Sequence, residues 1–310
     1  MLGNSGLSIF GDDHAGDNLL ASRGTAGITY FVDSAASDDN SGTSWARAKA
    51  TIQAALDLCT DRGGNTVYVK SGAYQETLTT PVNATAPFCQ LIGVEARGMG
   101  SGCYLYPDAT SDDILTINAR GWRISGFEFE SGATGAGIRF TRDTAGTPNR
   151  ADYTRISDCH FSAGQYGIHT TGSPYNIIIE DCEFHLLTTA AIFAGGGDTS
   201  FANGRHWTIR RNEFRENTAH IKMGASWGLN TSMIYENVMQ GTGATYSAVS
   251  DALIDIRGGT QGCNVVSRNT LGITTANYDS GTGPCRPGTN DVWVANYVLE
   301  GIMDEAPAGG

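Results

Sequence analysis

The sequence predicts an all-β fold, a single-stranded right-handed parallel β-helix in which one chain winds into stacked coils. Three observations predict it. Glycine makes up 41 of 310 residues and charged residues only 17%, which favours a turn-rich folded protein over a disordered one. A strand–turn–strand segment recurs along the chain, and a second short strand follows most copies. Because strands this short cannot bury a core alone, stacked coils must share one.

The repeated segment is clearest at 122–129, 154–161, 177–184 and 207–214, and weaker at 233–239, 265–271 and 292–298. Its central column reads Phe127, Cys159, Cys182, Asn212, Asn237, Asn269 and Asn296. Successive members lie 23 to 32 residues apart, a spacing typical of solenoids. We expect the asparagines to hydrogen-bond as an inward ladder between coils. The two cysteines are interpreted as small buried apolar residues.

The second short strand occurs at 137–140, 167–169, 191–193, 220–222 and 253–255. In each copy we expect one isoleucine to point inward and the next residue to point outward. The spacing between copies is too long for hairpins. The strands should therefore stack in parallel and in register, about 4.8 Å apart.

The first coil needs a cap, and the sequence predicts a helix there. Thr51 is the expected N-cap, apolar residues follow at helical spacing, and Gly63 and Gly64 mark the end. The predicted organisation is an N-terminal extension at 1–27, an entry strand, loop and capping helix at 28–64, the β-helix at 65–300, and a tail at 301–310.

Segments 30–33, 38–43, 50–58 and 65–76 resemble the entry segment of right-handed parallel β-helix proteins of the pectate lyase-like superfamily. The resemblance covers most of 28–300. That superfamily includes pectate lyases, chondroitinase B and many phage tailspike and virion-surface proteins, and the chain is most similar in character to the virion proteins. The resemblance implies the fold and leaves the activity open.

Charge and composition exclude several partners. The formal net charge is −12, from 20 basic and 32 acidic side chains, so the basic stripe that nucleic acid requires is missing. No apolar run reaches the roughly 20 residues of a membrane span, and Met1–Phe10 lacks the features of a secretory signal. The seven cysteines are odd in number and without C-x-x-C spacing, which argues against a zinc site and a complete disulfide framework.

One candidate functional face is the outward column of the repeat, which reads Glu128, His160, Glu183 and Glu213. Stacked carboxylates about 5 Å apart suit a retaining glycosidase, and the column is also a candidate glycan or ion site. A polar column on the solvent side of a solenoid is nevertheless the default, and we favour that interpretation.

Lys222 is the sharpest single candidate. We expect Phe193 and Asp255 on neighbouring coils and His169 one coil further. In the polysaccharide lyases that the resemblance points to, a Lys or Arg removes the proton next to a uronate carboxylate, which Ca²⁺ or a second base neutralises. Because this face offers only Asp255 and Asp251 to calcium, a salt-bridge role for Lys222 is favoured.

The candidate residues are therefore two overlapping sets. The catalytic candidates are Lys222, Asp255, Glu183 and Glu213, and the glycan-contact candidates are Glu128, His160, Glu183, Glu213, His169 and Phe193. No metal site and no cofactor are predicted. Asp33, Asp38, Asp39 and Asn40 could supply oxygen ligands to Ca²⁺, but a polar turn is favoured. Asp112 and Asp113 are adjacent, so they should point to opposite faces and not share a substrate.

Three functions from different classes remain open. We favour a non-enzymatic structural, decoration or tail-type protein on a phage particle surface, assembled in the host cytoplasm and forming a homotrimer. Residues 1–27 would attach it to other virion proteins, and a surface polysaccharide is a further expected partner. The alternatives are a polysaccharide lyase or glycoside hydrolase and a carbohydrate-binding adhesin, either of which could be extracellular. Insertions at 142–152, 195–205, 241–250 and 272–288 are expected on one binding face.

Overall fold

A computed structural model describes residues 27–60, 63–82, 86–94, 102–141, 151–195, 203–224, 227–240, 252–257, 262–278 and 283–307. Within these residues the chain winds through three long sheets, and each complete coil contributes one strand to each of them. Strand pairing in the three sheets is parallel apart from one antiparallel pair at the C-terminal end. The protein is thus a right-handed parallel β-helix, as the repeat predicts.

Sheet A consists of Thr29–Val32, Thr66–Val69, Gln90–Gly93, Arg123–Ser125, Arg155–Ser157, Ile178–Glu180, Thr208–Arg210, Met233–Tyr235, Val265–Ser267 and Val292–Val294. Sheet B consists of Gly72–Gln75, Cys103–Tyr106, Phe127–Glu130, His160–Ser162, Glu183–His185, Glu213–Arg215, Val238–Met239, Thr270–Leu271, Asn296–Val298 and the antiparallel Gly301–Met303. Sheet C consists of Leu78–Thr79, Leu115–Ile117, Ala136–Phe140, Tyr166–Thr170, Ala190–Ala194, Ala219–Met223, Ala252–Asp255 and Cys285–Arg286. A small additional sheet pairs Asn203–Arg205 with Gly228–Asn230.

A single left-handed residue makes the turn from sheet A to sheet B. The residues that occupy it, with positive φ, are Gly126, Asp158, Asp181, Arg211, Glu236, Arg268 and Ala295. This conformation is costly for residues other than glycine. It bends the chain sharply and points the next side chain into the interior, which is where the asparagine column begins.

The predicted asparagine ladder is confirmed. Asn212, Asn237, Asn269 and Asn296 are buried, and each side-chain oxygen accepts hydrogen bonds of 2.9–3.2 Å from the preceding coil. Each side-chain amide also donates to a sheet A carbonyl at 3.0 Å. The ladder therefore satisfies the backbone groups that the tight turn leaves without strand partners.

Replacing Asn237 with leucine should lower the free energy of unfolding by about 1–3 kcal/mol, because buried donors and acceptors on both neighbouring coils lose their partners. Chemical denaturation measures the change. Asn277→Leu, in a short helix outside the ladder, is the matched control. An Asn237→Leu midpoint no lower than that of the control would contradict the structural role of the ladder.

The interior beneath sheet B is a column of parallel phenylalanine rings. Phe129, Phe161, Phe184 and Phe214 are fully buried. Successive ring centroids are 4.8–5.0 Å apart, with planes within 6–8°. The aligned phenylalanines of the repeat explain this column, since parallel in-register strands place identical positions one above the other. Cys159 and Cys182 lie in the neighbouring buried column as free thiols, as predicted.

The predicted capping helix is present but shorter than expected. Helix α1 spans Ile52–Leu56, and the Thr51 side chain accepts from the Ala54 amide at 3.3 Å. The predicted end at Gly63–Gly64 is wrong. After Leu56 the backbone tightens into three-residue turns, with Cys59 N–H donating to Leu56 at 2.9 Å, and these turns bury Cys59 against the first coil. The other helices are Trp45–Arg47, a 3₁₀ turn, and α2, Thr275–Tyr278.

The four sequence insertions all flank sheet C. Those at 142–152 and 195–205 follow sheet C strands, and the one at 241–250 precedes a sheet C strand. The one at 272–288 contains helix α2 and the sheet C strand Cys285–Arg286. The insertions therefore border sheet C at two different turns of the coil, and their position on a single binding face stays a prediction. Large parts of these insertions lie outside the described residues. Residues 1–26 of the predicted attachment segment also lie outside them, so that role stays a prediction.

Candidate functional site

The outer face of sheet C carries one continuous column of side chains. In register from coil to coil it reads Thr116, Arg139, His169, Phe193, Lys222, Asp255 and Arg286. The isoleucine before each central member is buried in the core, so the column points outward as predicted. Because parallel strands lie about 4.8 Å apart, the structure brings His169, Phe193, Lys222 and Asp255 together.

Arg139 and His169 form the fixed end of the column. Arg139 donates two hydrogen bonds to the Asp113 carboxylate, from Nε to Oδ2 at 2.7 Å and from Nη2 to Oδ1 at 2.8 Å. It also contacts His169 Nδ1. His169 Nε2 lies 3.0 Å from the Gly195 carbonyl oxygen. Burial, followed by the nearby Arg139 charge, lowers the pKa of His169 to about 4. His169 is therefore a neutral, immobile imidazole at neutral pH.

An aromatic patch lies beside this imidazole. The Tyr166 and Phe193 rings are 5.2 Å apart with planes 17° from parallel, and the His169 ring lies 4.4 Å from Tyr166. Small side chains, Ala190 and Ala219, pack against the two rings. These alanines leave the rings half-buried, with one surface available to a ligand.

Lys222 has neither an ion pair nor a hydrogen bond among the described residues. The favoured salt bridge of Lys222 is not formed with Asp255, and the other carboxylate considered, Asp251, lies outside the described residues. Asp255 instead accepts from Arg257 at 2.9–3.0 Å and from Arg286 at 3.0 Å. Burial opposes ionisation of Asp255, but the two guanidinium groups outweigh it and lower its pKa. Lys222 therefore stands as an available cation between the Phe193 ring and an occupied carboxylate.

The charge of this face differs in sign from that of the whole chain. The column and its ion-pair partners hold the cations Arg139, Lys222, Arg257 and Arg286 and the anions Asp113 and Asp255, four against two. The formal balance of this set is positive, on a chain whose net charge is −12. This set of side chains would attract an anionic ligand.

The second predicted column, Glu128, His160, Glu183 and Glu213, also stacks in register. His160 Nδ1 lies 3.6 Å from Glu128 and Nε2 lies 4.0 Å from Glu183. Arg215 contacts Glu183 and lies 3.3 Å from Glu213. Each glutamate therefore has a basic neighbour, an arrangement that fits the favoured solvent-facing ion network.

The two predicted columns do not form one site. Glu183 and Glu213 belong to sheet B, whereas Lys222 and Asp255 belong to sheet C. Sequence reasoning missed Asp113, Arg139, Tyr166 and Arg286 as members of the sheet C group. The alignment of the short strands already placed Arg139 in the column with His169 and could have identified it. Asp113 lies 26 residues before Arg139, and only the folded coil shows their contact.

The acidic loop that was considered for calcium is closed by its own hydrogen bonds. Asp38 accepts from the backbone N–H groups of Ala50 and Thr51 at 2.7 and 2.9 Å. Asp33 pairs with Lys70 at 2.8 Å, and the Asn40 amide donates to the Ala48 carbonyl at 2.9 Å. These contacts correspond to the favoured polar turn. In the described parts of the chain, no group of three or more His, Cys, Asp or Glu side chains is arranged to hold a metal ion.

The chain is similar in backbone to several solved β-helix structures. Pectin methylesterase from Aspergillus niger is 15% identical, with a TM-score of 0.49 over 88% of this chain and 86% of that one. Pectin methylesterase PemA from Erwinia chrysanthemi is 12% identical, with a TM-score of 0.49 over 91% and 93%. A rhamnogalacturonan lyase is 12% identical, with a TM-score of 0.44 over 79% and 68%.

These neighbours are carbohydrate-active β-helix proteins, and at such identities the likeness assigns no activity to this chain. No protein-family model matches the sequence, and a search of curated proteins finds no match. No helix in the described residues has the length and apolar character needed to cross a membrane.

Two buried histidines should make the stability of the protein fall at mildly acidic pH. Burial is the main cause that lowers the pKa of both His169 and His220 from 6.5 to about 4. Between these values the unfolded chain binds protons that the native chain excludes. The stabilisation is therefore complete above pH 6.5 and is lost as the pH falls towards 4, by up to about 3 kcal/mol for each histidine.

Denaturation midpoints measured from pH 7 to pH 4 test this expectation. A His220→Gln variant, which keeps a polar side chain beside the Gln240 carbonyl but cannot be protonated, should show a flatter pH dependence than the wild-type protein. Equal slopes for the wild-type and His220→Gln proteins would contradict the assignment.

Proposed function

We propose that the outer face of sheet C binds an acidic polysaccharide. The observation that carries the proposal is the Lys222 ammonium, which makes no ion pair within the described part of the chain, beside the aromatic patch of Tyr166, His169 and Phe193. Together they offer both kinds of contact that an acidic sugar requires. The apolar side of a sugar ring can lie on Phe193 or Tyr166, while its carboxylate accepts a charge-assisted hydrogen bond from Lys222.

The repeated architecture suits a linear polymer in particular. Successive column positions are spaced at about 4.8 Å along the solenoid axis, so the face is a straight track and not a closed pocket. Arg139 and Arg286 lie on either side of Lys222 along that track. Because Arg139 is paired with Asp113 and Arg286 with Asp255, Lys222 is the main cationic group for an anionic ligand.

The geometry favours binding without turnover. A β-elimination removes the proton next to the uronate carboxylate, breaks the adjacent glycosidic C–O bond and needs a cation to neutralise that carboxylate while a base takes the proton. Lys222 could supply one of these roles, but Arg286 is committed to Asp255 at 3.0 Å. His169 donates to Gly195 and accepts from Arg139, so it offers no second base.

Lys222→Ala should weaken binding to polygalacturonate about tenfold, the loss expected for a charge-assisted contact. Lys222→Arg should retain most of the affinity. Isothermal titration with polygalacturonate, and with dextran as a neutral polymer, measures both. The matched control is Arg268→Ala, which removes an exposed cation that pairs with Glu236 at 3.0 Å.

Equal affinity of the wild-type and Lys222→Ala proteins for polygalacturonate would contradict the proposal. The same mixtures report on turnover, because β-elimination creates an unsaturated uronate that absorbs ultraviolet light. Product formation that disappears in Lys222→Ala would assign lyase activity to this face.

Attachment to a virus particle through residues 1–27 remains a separate prediction. Its test is whether deletion of residues 2–27 leaves a folded β-helix that no longer associates with particles or with itself.

A further inference from the structure

A cleft of about 700 Å³ opens on the outer face of sheet A at its N-terminal end. It is lined by Phe31, Asp33, Trp45, Tyr68, Lys70 and Val94. Its volume lies within the range of about 300–1,000 Å³ that is typical of small-ligand sites. It belongs to the first coils and to a different sheet from the column that contains Lys222.

Three aromatic rings line the cleft. Phe31 and Tyr68 are register partners on neighbouring strands, with centroids 6.0 Å apart. Trp45 lies against Phe31 with a centroid distance of 4.8 Å and is 44% exposed. The other four of the five tryptophans are buried, each at 3% exposure or less. An exposed indole set against two further rings is a ready stacking surface.

Backbone hydrogen bonds fix the loop that carries Trp45 at both of its ends. Phe31 donates its N–H to the Gly42 carbonyl at 2.8 Å, and Lys49 donates its N–H to the Phe31 carbonyl at 2.9 Å. Gly42 has a φ of +74°, and a side chain there would meet Lys49 Cγ at 3.3 Å. The aromatic surface is therefore fixed before any ligand arrives, which reduces the entropy cost of binding.

The polar groups of the cleft indicate the charge of its ligand. Asp33 and Lys70 pair at 2.8 Å, so the lining carries no net formal charge. A cationic ligand would have to compete with Lys70 for Asp33, and an anionic ligand would have to compete with Asp33 for Lys70. A neutral ligand rich in hydroxyl groups can accept from Lys70 and donate to Asp33 without breaking the pair.

We propose that this cleft binds a neutral saccharide, with a pyranose ring on Trp45 and its hydroxyl groups on Asp33 and Lys70. The proposal stands independently of the acidic-polysaccharide site, since it concerns a different sheet and an uncharged ligand. The chain would then contact an acidic glycan at one place and a neutral glycan at another.

Acrylamide quenching of tryptophan fluorescence tests the proposal, because Trp45 is the exposed indole among five. Neutral oligosaccharides of glucose, galactose, mannose and N-acetylglucosamine are the probes. At least one should shield Trp45 in a saturable manner, and Tyr68→Ala should weaken that binding about tenfold. Titration calorimetry with Trp45→Ala should show the same loss. Tyr153→Ala, which removes a tyrosine that is 55% exposed elsewhere, should leave the affinity unchanged.

Three results would overturn the proposal. The first is that no neutral saccharide shields Trp45. The second is binding that Trp45→Ala and Tyr68→Ala leave intact. The third is a change in Trp45 quenching when residues 2–26 are deleted without any response to saccharides, because the cleft would then be the docking place of that segment.

Discussion

Replacing Phe184 with alanine is expected to lower the free energy of unfolding by about 3–5 kcal/mol. Phe184 is fully buried between Phe161 and Phe214, at centroid distances of 4.8 and 4.9 Å. The substitution removes the ring from both stacks and leaves a cavity at the centre of the column. The rigid strands on either side cannot collapse into that cavity without breaking their register.

Urea denaturation of the variant measures the loss. Leu186→Ala provides the matched control, because Leu186 is on the same coil and is 50% exposed. A surface truncation of this kind should change stability by no more than about 0.5 kcal/mol. A Phe184→Ala protein as stable as the Leu186→Ala protein would contradict the stacked core.

Glu180→Ala is expected to cost about 3 kcal/mol, although Glu180 lies on the outer face of sheet A. Its side chain has no solvent exposure and is surrounded by Arg155, Arg210 and Arg211. The distances to Arg210 and Arg211 are 2.7 and 3.0 Å. Without the carboxylate, three cations face one another with only Asp181 nearby. Removing one partner from a buried ionic cluster is strongly destabilising, and the partial exposure of the arginines keeps the loss at the lower end of that range.

The comparison for this variant is Glu236→Ala, whose carboxylate is 40% exposed and pairs with Arg268 at 3.0 Å. An exposed pair of this kind contributes at most about 1 kcal/mol. A double-mutant cycle of Glu180 with Arg210 should give a large coupling energy. Coupling no greater than that of Glu236 with Arg268 would show that the buried cluster does not stabilise sheet A.

The repeat predicted the coil well because identical positions stack when strands are parallel and in register. Asn237 and Phe184 recur at a fixed place in the template, so their neighbours above and below follow from the alignment. The length of helix α1 was not predictable in this way. Helical spacing of Ile52 and Cys59 is also satisfied when the chain leaves the helix and buries Cys59 through tight turns.

The sites were less predictable than the coil. Glu183 and Lys222 lie on different sides of the solenoid because of the angles of the turns between strands. The alternation of residues within one strand distinguishes inward from outward side chains, but it does not predict those angles. Asp255 pairs with Arg257, which follows the end of the same strand, and with Arg286, which lies on the next coil. The cleft at Trp45 is built by a loop without periodicity, where the repeat gives no guidance.

A crystal structure of the protein with an acidic oligogalacturonide would show directly whether the outer face of sheet C is the polysaccharide-binding surface. We expect the saccharide along sheet C, with a sugar ring against Phe193 or Tyr166 and a carboxylate within hydrogen-bonding distance of Lys222 Nζ. An oligogalacturonide bound instead along the glutamate column of sheet B, or a sheet C face that stays empty while the protein binds the polymer in solution, would contradict this expectation.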